Sequence, residues 1–426
     1  MSIFNTIAVI LFILALLHTF TASQFAKLSH RYPKHHGLLH LLSEIEVVFG
    51  FWAFVMLVFM AIFQGKVTAI SYIESRNFVE PLFVFVIMVI AASKPILDLL
   101  SYCVQSISKT LPQEYSGLTF LFCCLVLLPL LGSLITEPAA MTVAALLLRE
   151  TIFIHPIKTS MKYGILAVLF VNISIGGSLT AYAAPPILMV AGTWGWDTAH
   201  VFMLFGEKAL LAVLINATLL CYIYRKELLS IVLNKNSSQN FSSTQKNTSA
   251  TPLLISIIHL VFLASVVIFS HHPTLFVGFF LFFLGFTQAY ARYQSRLLLR
   301  EALLVAFFLG GLVILGGQQS WWLQPLLSNM SENLLFFGTI GLTAFTDNAA
   351  ITYLGSLVSG VNDAFKYAIV SGALVGGGLT IIANAPNPAG AAILREHFPN
   401  KSIHAGLLAT AALIPTCITA ACFYFL

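Results

Sequence analysis

Apolar runs long enough to cross a lipid bilayer follow one another from Ile3 to Leu426. Inside hydrocarbon every backbone N–H and C=O must find its partner within the chain, so only helices and closed barrels can span it. A barrel would show short segments of alternating hydropathy. These runs are continuous, which predicts an all-α polytopic membrane protein. Charged residues make up 9% of the chain, against about 25% in a soluble domain.

Ten crossings are expected, at 3–22, 43–63, 80–103, 164–190, 200–224, 253–270, 272–290, 300–318, 363–394 and 404–426. Two further segments, 118–150 and 332–360, are too long for one simple span. Each is interrupted at its middle, by Leu134-Ile-Thr-Glu-Pro-Ala-Ala140 and, 210 residues later, by Ala344-Phe-Thr-Asp-Asn-Ala-Ala350. A second echo follows each, Gly176-Gly-Ser-Leu-Thr180 and Gly376-Gly-Gly-Leu-Thr380. The two long segments read as re-entrant hairpins with tips near the bilayer midplane. Irregular backbone is tolerated there only where protein or a water-filled cavity surrounds it.

The positive-inside rule tests this layout. If the first helix runs outside to inside, the cytoplasmic loops hold Lys27, Arg31, Lys34, Lys109, Arg149, Lys158, Lys162, Arg225, Lys226, Lys235, Lys246, Arg292, Arg296, Arg300, Arg395 and Lys401. Only Lys66 and Arg76 remain outside. The asymmetry survives only if both broken segments return to the side they entered from. Each half then has three spans, a hairpin, a broken span and a final span, and the second half is inverted relative to the first. The expected organisation is a first repeat over 1–225, a Ser/Asn/Thr-rich cytoplasmic linker over 226–252, and a second repeat over 253–426. The N-terminal stretch lacks a positive n-region and is read as a retained first helix.

The net charge of +5 is accounted for by topology, and no basic stripe with interleaved aromatics points to nucleic acid. The six cysteines form no CxxC pair, so disulfide and metal readings are weak. There is no HExxH or GxSxG, which argues against an intramembrane hydrolase, and no nucleotide motif, so an ion gradient would drive any transport.

Glu137 and Asp347 stand first among the candidate functional residues. A carboxylate at membrane depth costs about 3 kcal/mol or more unless it is paired, hydrated or protonated. Such a group favours being protonated or bound to a cation, which is the minimal chemistry of cation/proton exchange. The bland reading is helix capping, which an acid beside Pro138 also suits. Two acids at repeat-equivalent positions favour function. Thr136, Thr346 and Asn348 add hard oxygen ligands, and the second site is the richer because Pro138 stands where the other copy has Asn348. The breaks offer Gly177, Ser178, Thr180, Gly377, Thr380 and Asn384, with freed carbonyls able to coordinate a cation. Asn172 is a further candidate oxygen donor. A kinked packing interface is the competing explanation for the breaks. Lys94 and Asp98, four apart on one helix face, read as an intramembrane pair or a relay. Adjacent Glu207 and Lys208 point in different directions, and Lys208 is a candidate built-in cation.

The paired tips, Thr136-Glu-Pro-Ala-Ala140 and Thr346-Asp-Asn-Ala-Ala350, together with the paired breaks, resemble the ion transporter superfamily over about 44–426. More narrowly, the chain looks like the group called putative sodium/proton antiporters. The resemblance implies an elevator-type carrier of a bacterial inner membrane, often a homodimer, with a scaffold, a mobile transport domain and Na⁺ bound at Glu137 and Asp347. Carboxylate carriers of the superfamily typically show Ser-Asn-Thr at their tips. Acidic tips would repel a carboxylate and suit a cation. The expected function is therefore exchange of Na⁺ or Li⁺ for H⁺ by a non-enzymatic carrier. The alternative is a Na⁺-coupled organic-acid carrier in which Lys208 or Lys94 contacts substrate.

Overall fold

A computed structural model describes residues 3–108, 112–231 and 251–426, and among these the regular structure is helical. Long helices form where apolar runs are uninterrupted: α1 (Ile3–Arg31), α2 (Ile45–Gln64) and the bent pair α3 (Val79–Ala91) and α4 (Lys94–Ser108). The first hairpin is α5 (Ser116–Ile135) and α6 (Glu137–Thr151), followed by the broken helix α7 (Thr159–Gly176) and α8 (Pro185–Trp194), then α9 (Glu207–Ile223). The second half of the chain opens with α10 (Leu253–Ile268), α11 (Pro273–Ala289) and α12 (Leu299–Gly316). Then come α13 (Glu332–Thr343), α14 (Asn348–Ser356), α15 (Asp363–Gly376), α16 (Asn387–Leu394) and α17 (Ala405–Phe425).

Seven helices among the described residues are long and apolar enough to cross a membrane, or eight if the bent pair counts as one span. Three details depart from the ten crossings expected. The span at 80–103 bends by 63° between α3 and α4. Pro95 in the first turn of α4 lacks a donor, and the bend puts Lys94 and Asp98 at a helix start, not in mid-span. Helices α10 and α11 are apolar but short, 16 and 17 residues. The hairpins also differ. The 20 residues of α5 reach about 30 Å, enough to cross unaided, whereas α13 and α14 have 12 and 9 residues and are too short to cross.

The helices sort into two packing groups. In one, α12 lies against α2 and α3, flanked by α1 and by α10 and α11. In the other, α7 packs against α5, α9 and α17, and α15 packs against α13 and α17. The second group is interleaved: α6 packs on α16, and α14 packs on α8. The returning arm of each hairpin thus rests on the distal piece of the other half's broken helix. The basic loop before α7 is tied to the short helix Arg225–Leu229 by Lys158 Nζ and Glu227 Oε1, 2.6 Å apart. The hydrogen bond from Lys158 holds the half-buried Glu227 carboxyl below its usual range. Of the expected linker, residues 232–250 lie outside the described residues.

Lipid tails are as apolar as the side chains, so close backbone approach replaces the hydrophobic force between helices. At the α2–α12 crossing a Cβ on Gly311 would lie 2.3 Å from the backbone nitrogen of Gly50. Gly311→Val must push the helices apart and is expected to cost at least about 1–3 kcal/mol. Gly278→Ala on α11 has nothing within 4 Å and should be neutral or stabilising. Thermal unfolding of the two purified variants in micelles checks this, and equal unfolding temperatures would count against the crossing.

Candidate functional site

The first tip is a chain reversal at Thr136, whose φ of 82° and ψ of 149° lie outside the helical region. This left-handed value is costly for a β-branched residue and must be held by its surroundings. Glu137 then opens α6, with Pro138 in the first turn, where its missing N–H is harmless. The Glu137 side chain is fully buried. Its Oε2 accepts a 2.7 Å hydrogen bond from Asn384 Nδ2, in the break of the other half. A Cβ on Gly177 would sit 2.6 Å from Glu137 Oε1, so the first break must carry glycine for the carboxylate to fit.

Each tip is stitched to the break of its own half. Ser133 Oγ donates to Gly176 O at 2.6 Å, and Thr180 Oγ1 donates to Ser133 O at 2.7 Å. In the second half Thr380 Oγ1 donates to Ala344 O at 2.9 Å. Asn387 Nδ2 donates to Gly377 O and Thr380 O, at 2.8 and 2.9 Å. Asp347 caps α14 by accepting from Ala349 N at 2.8 Å, and Asn348 N donates to Ala383 O at 3.0 Å. The halves meet again where Ser174 Oγ donates to Leu374 O at 2.7 Å. A Cβ on Gly377 would lie 2.2 Å from Ser174 Oγ and 2.8 Å from Asn348 Nδ2. Both tips and both breaks therefore converge, and Asp347 is near enough to act electrostatically on Glu137.

Six buried polar atoms at this junction have no hydrogen-bond partner among the described residues: Thr136 Oγ1, Glu137 Oε1, both amide atoms of Asn348, Asn384 Oδ1 and Asn387 Oδ1. Leaving one such group unsatisfied costs about 1–3 kcal/mol. Five of the six are oxygens, the donor set a hard cation prefers. Beside the second tip lies a cleft of about 30 Å³, bounded in part by Glu46, Thr346, Asp347 and Asn384. Thr346 and Asp347 are partly exposed, while Glu137 is sealed.

Of the residues read from sequence, the structure gathers Thr136, Glu137, Thr346, Asp347, Asn348, Asn384, Gly177 and Gly377. The hydroxyls of Thr180 and Thr380 are engaged on carbonyls, and Ser178 Oγ donates to Ile175 O at 2.6 Å, so these three brace the breaks. Asn172 belongs elsewhere. It donates to Leu125 O and Val213 O, and its oxygen accepts from Asn216, which also reaches Thr419. Lys94 and Asp98 are paired at 2.8 Å, and both contact Thr251. Lys208 donates to Tyr367 Oη at 2.8 Å and lies 4.2 Å from that ring's centroid, while Glu207 is exposed. Neither pair is built into the junction of tips and breaks. Asn387, read from sequence as part of the second break, is brought in as well, whereas Glu46, Ser133 and Ser174 went unnoticed in the sequence. For the last two, the apolar helix around each gave no signal.

Glu137 and Asn384 are expected to be strongly coupled. In a double-mutant cycle of Glu137→Ala and Asn384→Ala, unfolding free energies in micelles should deviate from additivity by about 1–3 kcal/mol. Additive losses would mean that the hydrogen bond carries no weight.

Residues 3–426 match a family model described as putative Na⁺/H⁺ antiporter. No curated protein matches the chain.

Proposed function

The chain belongs to the putative Na⁺/H⁺ antiporter family, and we propose that it exchanges Na⁺ or Li⁺ for H⁺ across the inner membrane of a bacterium by alternating access. Glu137 and Asp347 alternate between protonated and cation-bound forms, so that cation binding releases the protons they carry. Thr136, Asn348, Asn384 and Asn387 complete the oxygen shell. The C-terminal ends of α7 and α15 reach Gly177 and Gly377, and their partial negative charge favours a cation there.

The observation that carries this reading is the concentration of unsatisfied oxygens around two carboxylates at a junction of helix ends. The cleft supports the choice of cargo. A volume of about 30 Å³ holds one or two particles of water size. That is room for a sodium ion. The acidic lining would also repel a carboxylate.

The interleaved packing of α6 on α16 and α14 on α8 supports an inverted repeat with two re-entrant hairpins. So do the matching hydroxyl contacts of Thr180 and Thr380. The two packing groups suit a scaffold and a moving part, and pairing of two scaffolds would give the homodimer. The basic loops and the linker 226–252 face the cytoplasm in this scheme.

Acid-loaded proteoliposomes with a pH-sensitive dye test the proposal. Addition of Na⁺ or Li⁺ is expected to drive proton efflux, and K⁺ much less. Loss of a buried charged ligand costs about 3 kcal/mol or more, so Asp347→Asn and Glu137→Gln should each cut the rate by about a hundredfold. Uptake of a labelled dicarboxylate with no cation-driven proton movement would overturn the proposal.

A further inference from the structure

We propose that Glu46 is a third carboxylate of the ion path, set on the opposite wall of the cleft to capture cations for Asp347 from one face of the membrane. This rests on the exchange reading above.

Glu46 lies in the first turn of α2, on the side of the chain where α1 ends with the basic residues Lys27 and Arg31, followed by Lys34. It shares the cleft beside the second tip with Thr346 and Asp347, and it acts electrostatically on Asp347. A second observation points to a cation. Asn384 is 1% exposed and lines the same cleft, and its Oδ1 has no partner. Its Nδ2 is committed to Glu137, so a buried amide oxygen is left over on a residue that lines the cleft together with Glu46 and Asp347. An amide oxygen so placed calls for a donor or a positive charge.

The nearby bases make their contacts with Glu44, and Arg300 reaches Glu46 only through its field. Arg300 pairs with Glu44, and His40 Nδ1 lies 3.6 Å from the same Glu44 oxygen. Among the described residues Glu46 forms no salt bridge. Its charge is left to act on the cleft. A narrow cleft with one sign of charge and apolar walls (Phe49, Val305 and Phe308 here) raises the local concentration of counter-ions.

The two carboxylates also ride on different packing groups. Helix α2 packs against α1 and α12, whereas α14, behind Asp347, packs against α8 and α15. Any displacement of one group against the other changes the distance between Glu46 and Asp347. Glu46 therefore assists binding from the face where α1 ends and α2 begins, and leaves the opposite face unaffected.

The test measures Na⁺-driven proton efflux against Na⁺ concentration, in vesicles sorted by orientation. Glu46→Gln is expected to raise the apparent KM for Na⁺ about tenfold, or about 1.4 kcal/mol, when Na⁺ is presented to the face where α1 ends and α2 begins. Maximal rate and the KM from the other face should stay close to wild type. Glu46→Asp should restore most of the affinity, and calorimetric Na⁺ titration of the Glu46→Gln protein in micelles should show weaker binding. A wild-type KM on both faces for Glu46→Gln, or an equal rise on both, overturns this role. If Asp347→Asn is inactive in the same assay, the exchange reading stands regardless. Absence of any cation-driven proton flux in the wild-type protein removes both.

Discussion

The hydrogen bond from Asn384 to Glu137 joins residues 247 apart and crosses between the two halves of the chain. Burying a carboxyl group without a donor is expensive, so the rest of the junction must bring that amide to it. Gly177 clears space for the carboxylate, Ser133 and Thr180 fix the first break, and Asn387 fixes the second by holding two of its carbonyls. None of these contacts is made within one helix. Each half supplies its own tip, yet the polar partner of the first tip comes from the other half.

Packing explains how such a junction survives in an apolar medium. Around it the chain lays small residues where backbones must touch: Gly376 against Thr343, Gly378 against Val171 and Gly176 against Pro129. A side chain at any of these positions would force neighbouring backbone aside. The same device brings α2 and α12 together in the other packing group. Shape complementarity thus holds the helices, while the polar groups of the junction stay available for chemistry.

Much of the architecture was legible because its signals are local. A Thr-acid pair inside an apolar run, followed by a glycine cluster, announces a break wherever it occurs, and the tips and breaks lie where their sequence puts them. The bend at Ala92–Ser93 was hidden because an apolar run reads alike whether straight or kinked. Glu46 was hidden for another reason: an acid at the start of a span looks interfacial until the residue opposite it, 301 positions away, is known. Asn172 shows the converse. Its position near a break suggested a ligand, yet its oxygen is occupied by Asn216 on α9. Sequence tells which groups can coordinate, and only packing tells which ones are already engaged.

The unequal hairpins have a mechanical corollary. The first pairs helices of 20 and 15 residues that lie along each other, whereas the second pairs 12 and 9 residues with little direct contact between its arms. Resistance to local opening rises with the packing that must be undone. The first pair therefore holds itself together, whereas the arms of the second are held by their neighbours, and it is this second pair whose acid meets the cleft.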